Sequence, residues 1–253
     1  MPSDEPQLFA GTSGFAYPAW KPGFYPADVP AKRFLQHYAS RLNSTEINYT
    51  YRRLPTPKSL GDWVESTPAE FVFSLKAHMK LTHVLRLKDC SSFLEVFLKA
   101  VDPLRVVRRL GPILFQLPPN LKADTSLLAD FVALLPQDMR FAFEFRNASW
   151  LVDATYEVLS SRGICLCLAE SDTLVIPHVL TSPFTYFRLR KTEYGPEELQ
   201  KIGATADKLL SEGRDIYLYF KHEESPEGAL YAEQVLQAHR ALENQTNPIS
   251  VRA

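Results

Sequence analysis

Arg140-Phe-Ala-Phe-Glu-Phe-Arg146 alternates aromatic rings with small or charged side chains. Successive side chains of a strand point to opposite faces, so Phe141, Phe143 and Phe145 share one face and Ala142, Glu144 and Arg146 the other. Three phenylalanines in a row need a covering layer of helices. Glu144 and Arg146 then point the other way, into an interior, toward the C-terminal end of the strand. The opposite orientation would put unpaired charges under helices, which costs several kcal/mol.

Short runs of aromatic, aliphatic and β-branched residues of the same kind recur at 8–15, 44–51, 71–78, 112–117, 163–170, 184–190 and 216–222, which with 140–146 makes eight predicted strands. Most of the intervening segments have helical spacing. Leu94, Phe97, Leu98, Val101 and Leu104 form one apolar stripe, and Leu127, Leu128, Phe131, Leu134 and Leu135 another. Thr56-Pro57 and Ser225-Pro226 each read as an N-cap followed by proline at the first helical position. Only the connection 171–183 is too short and proline-interrupted for a full helix. Strand and helix alternating eight times in about 250 residues predicts a parallel α/β fold, a single (β/α)8 TIM barrel with a reduced helix between strands 6 and 7. The rival, an open doubly wound sheet, lacks its glycine fingerprint, because Gly11-Thr-Ser-Gly14 is only a glycine-containing turn. No linker or low-complexity run divides residues 1–253, so one domain is expected.

Composition narrows the function classes. With 28 basic and 29 acidic residues among 253, and 45% hydrophobic, the net charge of -1 provides no overall field toward nucleic acid or an anionic membrane. The longest apolar run is far too short to span a bilayer. The polar start Met1-Pro-Ser-Asp-Glu-Pro-Gln7 does not read as a secretory signal, and Cys90, Cys165 and Cys167 show no metal spacing and cannot all pair, which suits a reducing cytosol. A cytoplasmic location is the expectation.

Strand parity also nominates a site. It turns inward Glu46, Asn48 and Thr50; Ser74, Lys76 and His78; Gln116; Glu170; Tyr186, Arg188 and Arg190; and Tyr217, Tyr219 and Lys221. Active sites of such barrels lie at the C-terminal strand ends, and the last two strands commonly supply a phosphate site. There Glu46, Glu144 and Glu170 face Lys76, Arg146, Arg188, Arg190 and Lys221, two positive charges in excess, so an anionic ligand is expected.

The candidate catalytic set is Glu46, Glu144 and Lys76. Neighbouring cations could push the two carboxyl pKa values apart into acid and base. The plainer alternative makes Glu46–Lys76 and Glu144–Arg146 structural ion pairs. Lys76 could form a Schiff base if desolvated, although a charge partner or anion binder is the preferred reading. Arg146, Arg188, Arg190 and Lys221 would bind the anion; Asn48, His78, Gln116 and Tyr219 would line the site. Tyr17 and Trp20, with Phe15, Phe24 and Tyr25, could make a stacking wall or simply pack a loop. No cofactor is predicted. A divalent metal held by the three glutamates with His78 or His83 is the minority reading, since no two histidines show a recognised metal spacing. Cys165 and Cys167, opposite Glu170 in parity, are expected beneath the helices as structural thiols.

Several segments resemble one family. Gly11-Thr-Ser-Gly-Phe-Ala-Tyr-Pro-Ala-Trp20 with Phe24-Tyr-Pro26, Glu46-Ile-Asn48 with Arg53-Leu-Pro55, Phe73-Ser-Leu-Lys-Ala77 with Thr82-His83, Gly111-Pro-Ile-Leu-Phe-Gln-Leu-Pro-Pro119, and Glu144-Phe-Arg146 with Ser149-Trp150 are similar to the DUF72 (YecE-like) family, in order over nearly the whole chain. The resemblance implies a TIM barrel with a strand-end cleft and implies no reaction. Three places depart from the family pattern. Tyr49-Thr-Tyr-Arg-Arg53 stands for Ser-Thr-Phe-Tyr-Arg, Arg188-Leu-Arg-Lys191 for Arg-Leu-His-Gly, and Lys221-His222 for asparagines. All three add or retain positive charge.

The leading reading is an enzyme, hydrolase or lyase in type, acting on a small anionic substrate such as a phosphorylated metabolite. Behind it stand a nucleic-acid-binding barrel or phosphodiesterase of the endonuclease IV type, then a glycoside-processing enzyme or a non-catalytic binding barrel. Oligomeric state is not legible.

Overall fold

The computed structural model describes residues 5–246. Along the chain run β1 (Leu8–Thr12), α1 (Phe34–Ala39), β2 (Ser44–Ile47), α2 (Pro57–Glu65), β3 (Val72–Lys76), α3 (Ser91–Val106), β4 (Leu110–Gln116), α4 (Thr125–Ala133), β5 (Phe141–Glu144), α5 (Asp153–Ser160), β6 (Cys165–Leu166), β7 (Leu168–Ala169), β8 (Phe184–Leu189), α6 (Pro196–Ser211), β9 (Asp215–Phe220) and α7 (Glu227–Thr246). All the strand pairs are parallel, as strands joined by helical crossovers must be. They form two sheets, ordered β1-β9-β8-β7 and β2-β3-β4-β5-β6. The predicted sixth strand is the pair β6 and β7, interrupted at Cys167, whose N–H still donates to Phe143 O at 2.8 Å. No helix occupies 170–183, so the expected reduced helix is a loop.

The two sheets meet at two seams. Cys167 carries the chain from the edge of one to the edge of the other, and at the opposite side Ser13 bridges Glu46. Gly11 allows the second approach. A Cβ at that position would run into the Ser44 carbonyl oxygen and would stand 2.6 Å from Tyr38 Oη. Gly14-N completes the seam with a 2.8 Å hydrogen bond to Glu46 O.

Parity divides the apolar residues into two cores. One lies between strands and helices and contains Phe141, Phe143, Phe145 and the α3 stripe. The other, built on the opposite faces of the strands, holds Phe9, Leu114, Ala142, Tyr186, Tyr217 and Tyr219. Cys165 and Cys167 belong to this inner core, not beneath the helices. Alternation persists through the break in the sixth strand; the expectation fails because Glu170, the residue that sets its parity, is not the inward one. Cys165, Cys167 and Ala169 alternate inward with Leu166 and Leu168 outward, while Glu170 lies beyond β7 and turns back on the loop after β8. The three cysteines are free and buried. Thr56 caps α2 as expected, in a capping box with Ser59. Pro226 instead precedes the first residue of α7, so Ser225 lies one position outside the expected cap. Among the described residues, no helix is long and apolar enough to cross a membrane.

Candidate functional site

Glu46 is the penultimate residue of β2, Glu144 closes β5, and Arg188 is the penultimate residue of β8. All three are buried at the C-terminal ends of their strands. Arg188 joins the two glutamates. Its Nη2 donates to Glu46 Oε1 at 2.7 Å and its Nη1 to Glu144 Oε2 in a still shorter contact. Nη2 also donates to Ser13 Oγ at 3.1 Å, and Ser13 in turn donates to Glu46 Oε1. Tyr186 Oη donates to Glu46 Oε2 at 2.7 Å, and Gln116 Nε2 to Glu144 Oε2 at 2.9 Å. Arg146 Nε and Arg190 Nη2 approach Glu144 Oε1 at 3.0 and 3.3 Å.

Burial alone would raise both carboxyl pKa values. Arg188, with the Ser13 and Tyr186 hydroxyls, outweighs burial at Glu46; Arg188, Arg190 and Arg146 do so at Glu144, and both groups are held below the usual carboxylate range. The expected separation into one acid and one base is therefore corrected: both shift the same way, because one guanidinium serves both. Neither carboxyl holds a proton to give at neutral pH.

Lys76, half-buried at the end of β3, makes no ion pair among the described residues, so the alternative Glu46–Lys76 pair is replaced by Glu46–Arg188. Its Nζ stands 4.3 Å from the centroid of the Tyr51 ring. Burial and the Arg188 charge push its ammonium down to about 8, against the opposing pull of Glu46 and Glu144. Thr50 fixes the end of this strand by donating to Lys76 O at 2.7 Å. Lys76, Arg146, Arg188 and Arg190 thus surround Glu46 and Glu144, leaving two positive charges in excess.

Beside this floor opens a cleft of about 1150 Å³, walled by Glu144, Arg146, Arg190, Lys221, His222 and the loop 170–178. The wider lining is mixed in sign, with Lys191, Lys201 and Lys221 alongside Asp172, Glu223 and Glu224, so the positive excess is confined to the floor.

The other predicted residues divide. Asn48 lies within 3.5 Å of Ser13 Oγ, and Tyr17 packs on Trp20 with its hydroxyl on Ser13 O at 3.0 Å, so both border the cluster. Lys221 reaches the wall and pairs with Glu223 at 3.5 Å. Five placements are corrected. Arg188 is 2% exposed and its two terminal nitrogens are taken by carboxylates, so it organises the site and does not offer a fork to an anion. Trp20 is fully buried against Phe24 and Tyr25 in the outer core, which leaves Tyr17 without a stacking wall. Tyr219 is buried below the floor, its hydroxyl between Ser44 and Ser74 at 2.6 and 2.8 Å. His78 packs its ring on Phe93 of α3, because β3 ends at Lys76 and strand parity no longer applies two residues later. Glu170 accepts from the backbone of Arg190 and Lys191 and from Tyr194 Oη, so it braces a turn and does not balance the cations.

Sequence reasoning overlooked Ser13, which the glycine turn after β1 carries into the cluster; the two flanking glycines were its only signal. Among the described residues no group of three His, Cys, Asp or Glu side chains is gathered in a form that could hold a metal ion.

Parallel strands, inward polar ends and a cleft beside them define an α/β protein of the TIM-barrel-like class. The family model described as "Protein of unknown function DUF72" matches residues 9–251, and the chain belongs to that family. A DUF72 family protein of Thermotoga maritima superposes with TM-score 0.81 at 26% identity, covering 92% of this chain and 99% of that one. One from Enterococcus faecalis gives 0.73 at 18%, covering 93% and 99%. The UPF0759 protein YunF of Bacillus subtilis is 26% identical over 139 residues, 53% of this chain and only 49% of that protein's length. An AP endonuclease of family 2 from Brucella melitensis gives 0.51 at 8% identity, covering 86% and 93%, a likeness of fold alone.

Proposed function

We propose that the two sheets form one (β/α)8 barrel of a single domain, and that the protein is an enzyme acting on a small anionic substrate at the floor of the strand-end cleft. The observation that carries this reading is the cluster of four cations around two buried carboxylates. Arg188 is neutralised between Glu46 and Glu144, and Arg146 and Arg190 share the remaining carboxylate oxygen. A guest anion would complete the coordination of Arg146 and Arg190, whose side chains are 35% and 21% exposed at the cleft. Glu46 and Glu144 act as fixed charges that hold the guanidinium groups in place, and proton transfer falls to Lys76, whose ammonium is pushed down to about 8.

Binding of inorganic phosphate and of phosphorylated metabolites, followed by calorimetry at constant ionic strength, tests the reading. Arg146→Gln and Arg190→Gln should each weaken binding by about 10-fold or more, the range of a charge-assisted hydrogen bond. Affinity unchanged in both would remove the anion site. An oligonucleotide arm separates the phosphodiesterase reading, since that would show a steep loss of affinity with salt.

A further inference from the structure

Arg146 stands between two parts of the mouth. On one side it walls the large cleft, and on the other its charge is felt by Lys76, Tyr51 and His83. This second side is carried by unusual backbone. After β3 the chain makes a π-helical turn, Lys80–Val84, and then places Arg86, Leu87 and Asp89 at φ of 53°, 68° and 47°. Left-handed non-glycine residues are unfavourable, and π turns and such strain concentrate at functional sites. Arg86 ties the strained segment across to Asn120, donating to its backbone and side-chain oxygens at 2.9 and 3.2 Å. The segment presents His83, whose Nδ1 lies 2.8 Å from Thr82 Oγ1 and whose ring edge meets Tyr51 at 5.4 Å.

We infer that Lys76 is an imine-forming lysine, and that its substrate is a short carbonyl compound whose anionic group sits on Arg146 and Arg190. This inference rests on the anion site proposed above and names its substrate class. Lys76 is half-buried, stands on a rigid strand end, has no carboxylate within ion-pair distance and has its Nζ positioned by an aromatic face instead of a counter-ion. Cations on its flank favour the free amine, and burial acts in the same direction. The lone pair of Nζ attacks the carbonyl carbon, the C–O π bond opens onto oxygen, and a proton passes from nitrogen to oxygen to give a carbinolamine. Loss of that hydroxyl with a proton, as water, leaves the C=N bond. His83, kept neutral by burial and by the charges of Lys76, Arg146 and Arg86, is the imidazole on this side able to exchange those protons.

The test is reductive trapping. The full chain is incubated with pyruvate, and separately with dihydroxyacetone phosphate, in the presence of cyanoborohydride, and peptides are mapped by mass spectrometry. Lys76 should gain the mass of the probe less one oxygen, well ahead of every other lysine, with one of the two probes. Lys76→Arg should abolish that adduct while retaining the charge, and Arg146→Gln should slow it about 10-fold or more. Equal labelling of surface lysines, or no Lys76 adduct although calorimetry shows both probes bound, overturns the imine and leaves the anion site standing. Neither adduct nor binding of phosphate or either probe overturns both.

Discussion

Arg188 is the residue on which the site turns. It is a buried cation between two buried carboxylates, and removing one partner from such a triad is far more damaging than replacing all of it. Arg188→Met should therefore lower unfolding stability by about 3–5 kcal/mol in urea titrations. Adding Glu46→Gln and Glu144→Gln to the same chain should recover much of the loss; no recovery would mean that the cluster is not one electrostatic unit. Lys76 makes the opposite prediction. It has no partner to leave unpaired, so Lys76→Met should fold with undiminished stability at pH 7. Competitive acylation of the wild-type amine should titrate near 8. Since Arg188 and Arg146 lower that value and Glu144 raises it, Arg146→Gln should move the midpoint up and Glu144→Gln should move it down. Parity identified Glu46, Glu144, Lys76 and Arg188 as neighbours. It could not tell which cation the glutamates would choose, because that depends on how strands far apart in sequence stand across the interior.

At the scale of elements, one local signal carried fully, one carried in part, and the placements of two residues failed. Thr56-Pro57 starts α2 in the expected way, through a capping box whose geometry is decided within four residues. Thr56→Ala should cost about 1 kcal/mol, readable as a shift of the urea midpoint. The glycine turn after β1 was legible only as a turn. In the fold Gly11 lies where β1 and β2 leave no room for a Cβ, and Gly11→Ala would push the seam apart at the Ser44 carbonyl. That substitution should destabilise by about 2–4 kcal/mol and loosen the Ser13–Glu46 contact with it; a change under about 0.5 kcal/mol would show that the seam yields freely. His78 and Glu170 were misplaced for different reasons. Alternation is a property of extended strands, and His78 lies past the end of β3, where the chain has already turned; Glu170 keeps the parity of Leu166 and Leu168, and it is the face of the sixth strand that differs, since Cys165, Cys167 and Ala169 turn inward.

For the whole molecule, the site couples stability to pH in two windows of the same sign. Glu46 and Glu144 have folded pKa values below their ordinary ones, so the stabilisation is complete above the ordinary carboxylate range, near pH 4.3, and is lost as pH falls toward their folded values. The Glu46→Gln, Glu144→Gln, Arg188→Met chain should show a shallower acid limb in urea titrations than the wild type. Lys76 is lowered to about 8 from 10.5, so in that interval the unfolded chain binds the proton that the folded one releases. Its contribution to stability accordingly rises with pH there, and Lys76→Met should remove that rise. The amino-acid sequence by itself determined the alternation of strands and helices, the face most strands turn inward, the sixth excepted, and the gathering of acids and bases at one end. These follow from periods of 2 and 3.6 residues, which are local. Only the tertiary structure decided that Arg188 is enclosed between the glutamates, that Trp20 and Tyr219 are core, and that Lys76 is left without a counter-ion. Those outcomes depend on register across the interior and on where each strand stops, and both are set by packing between segments far apart in the chain, 175 residues in the Ser13–Arg188 bond.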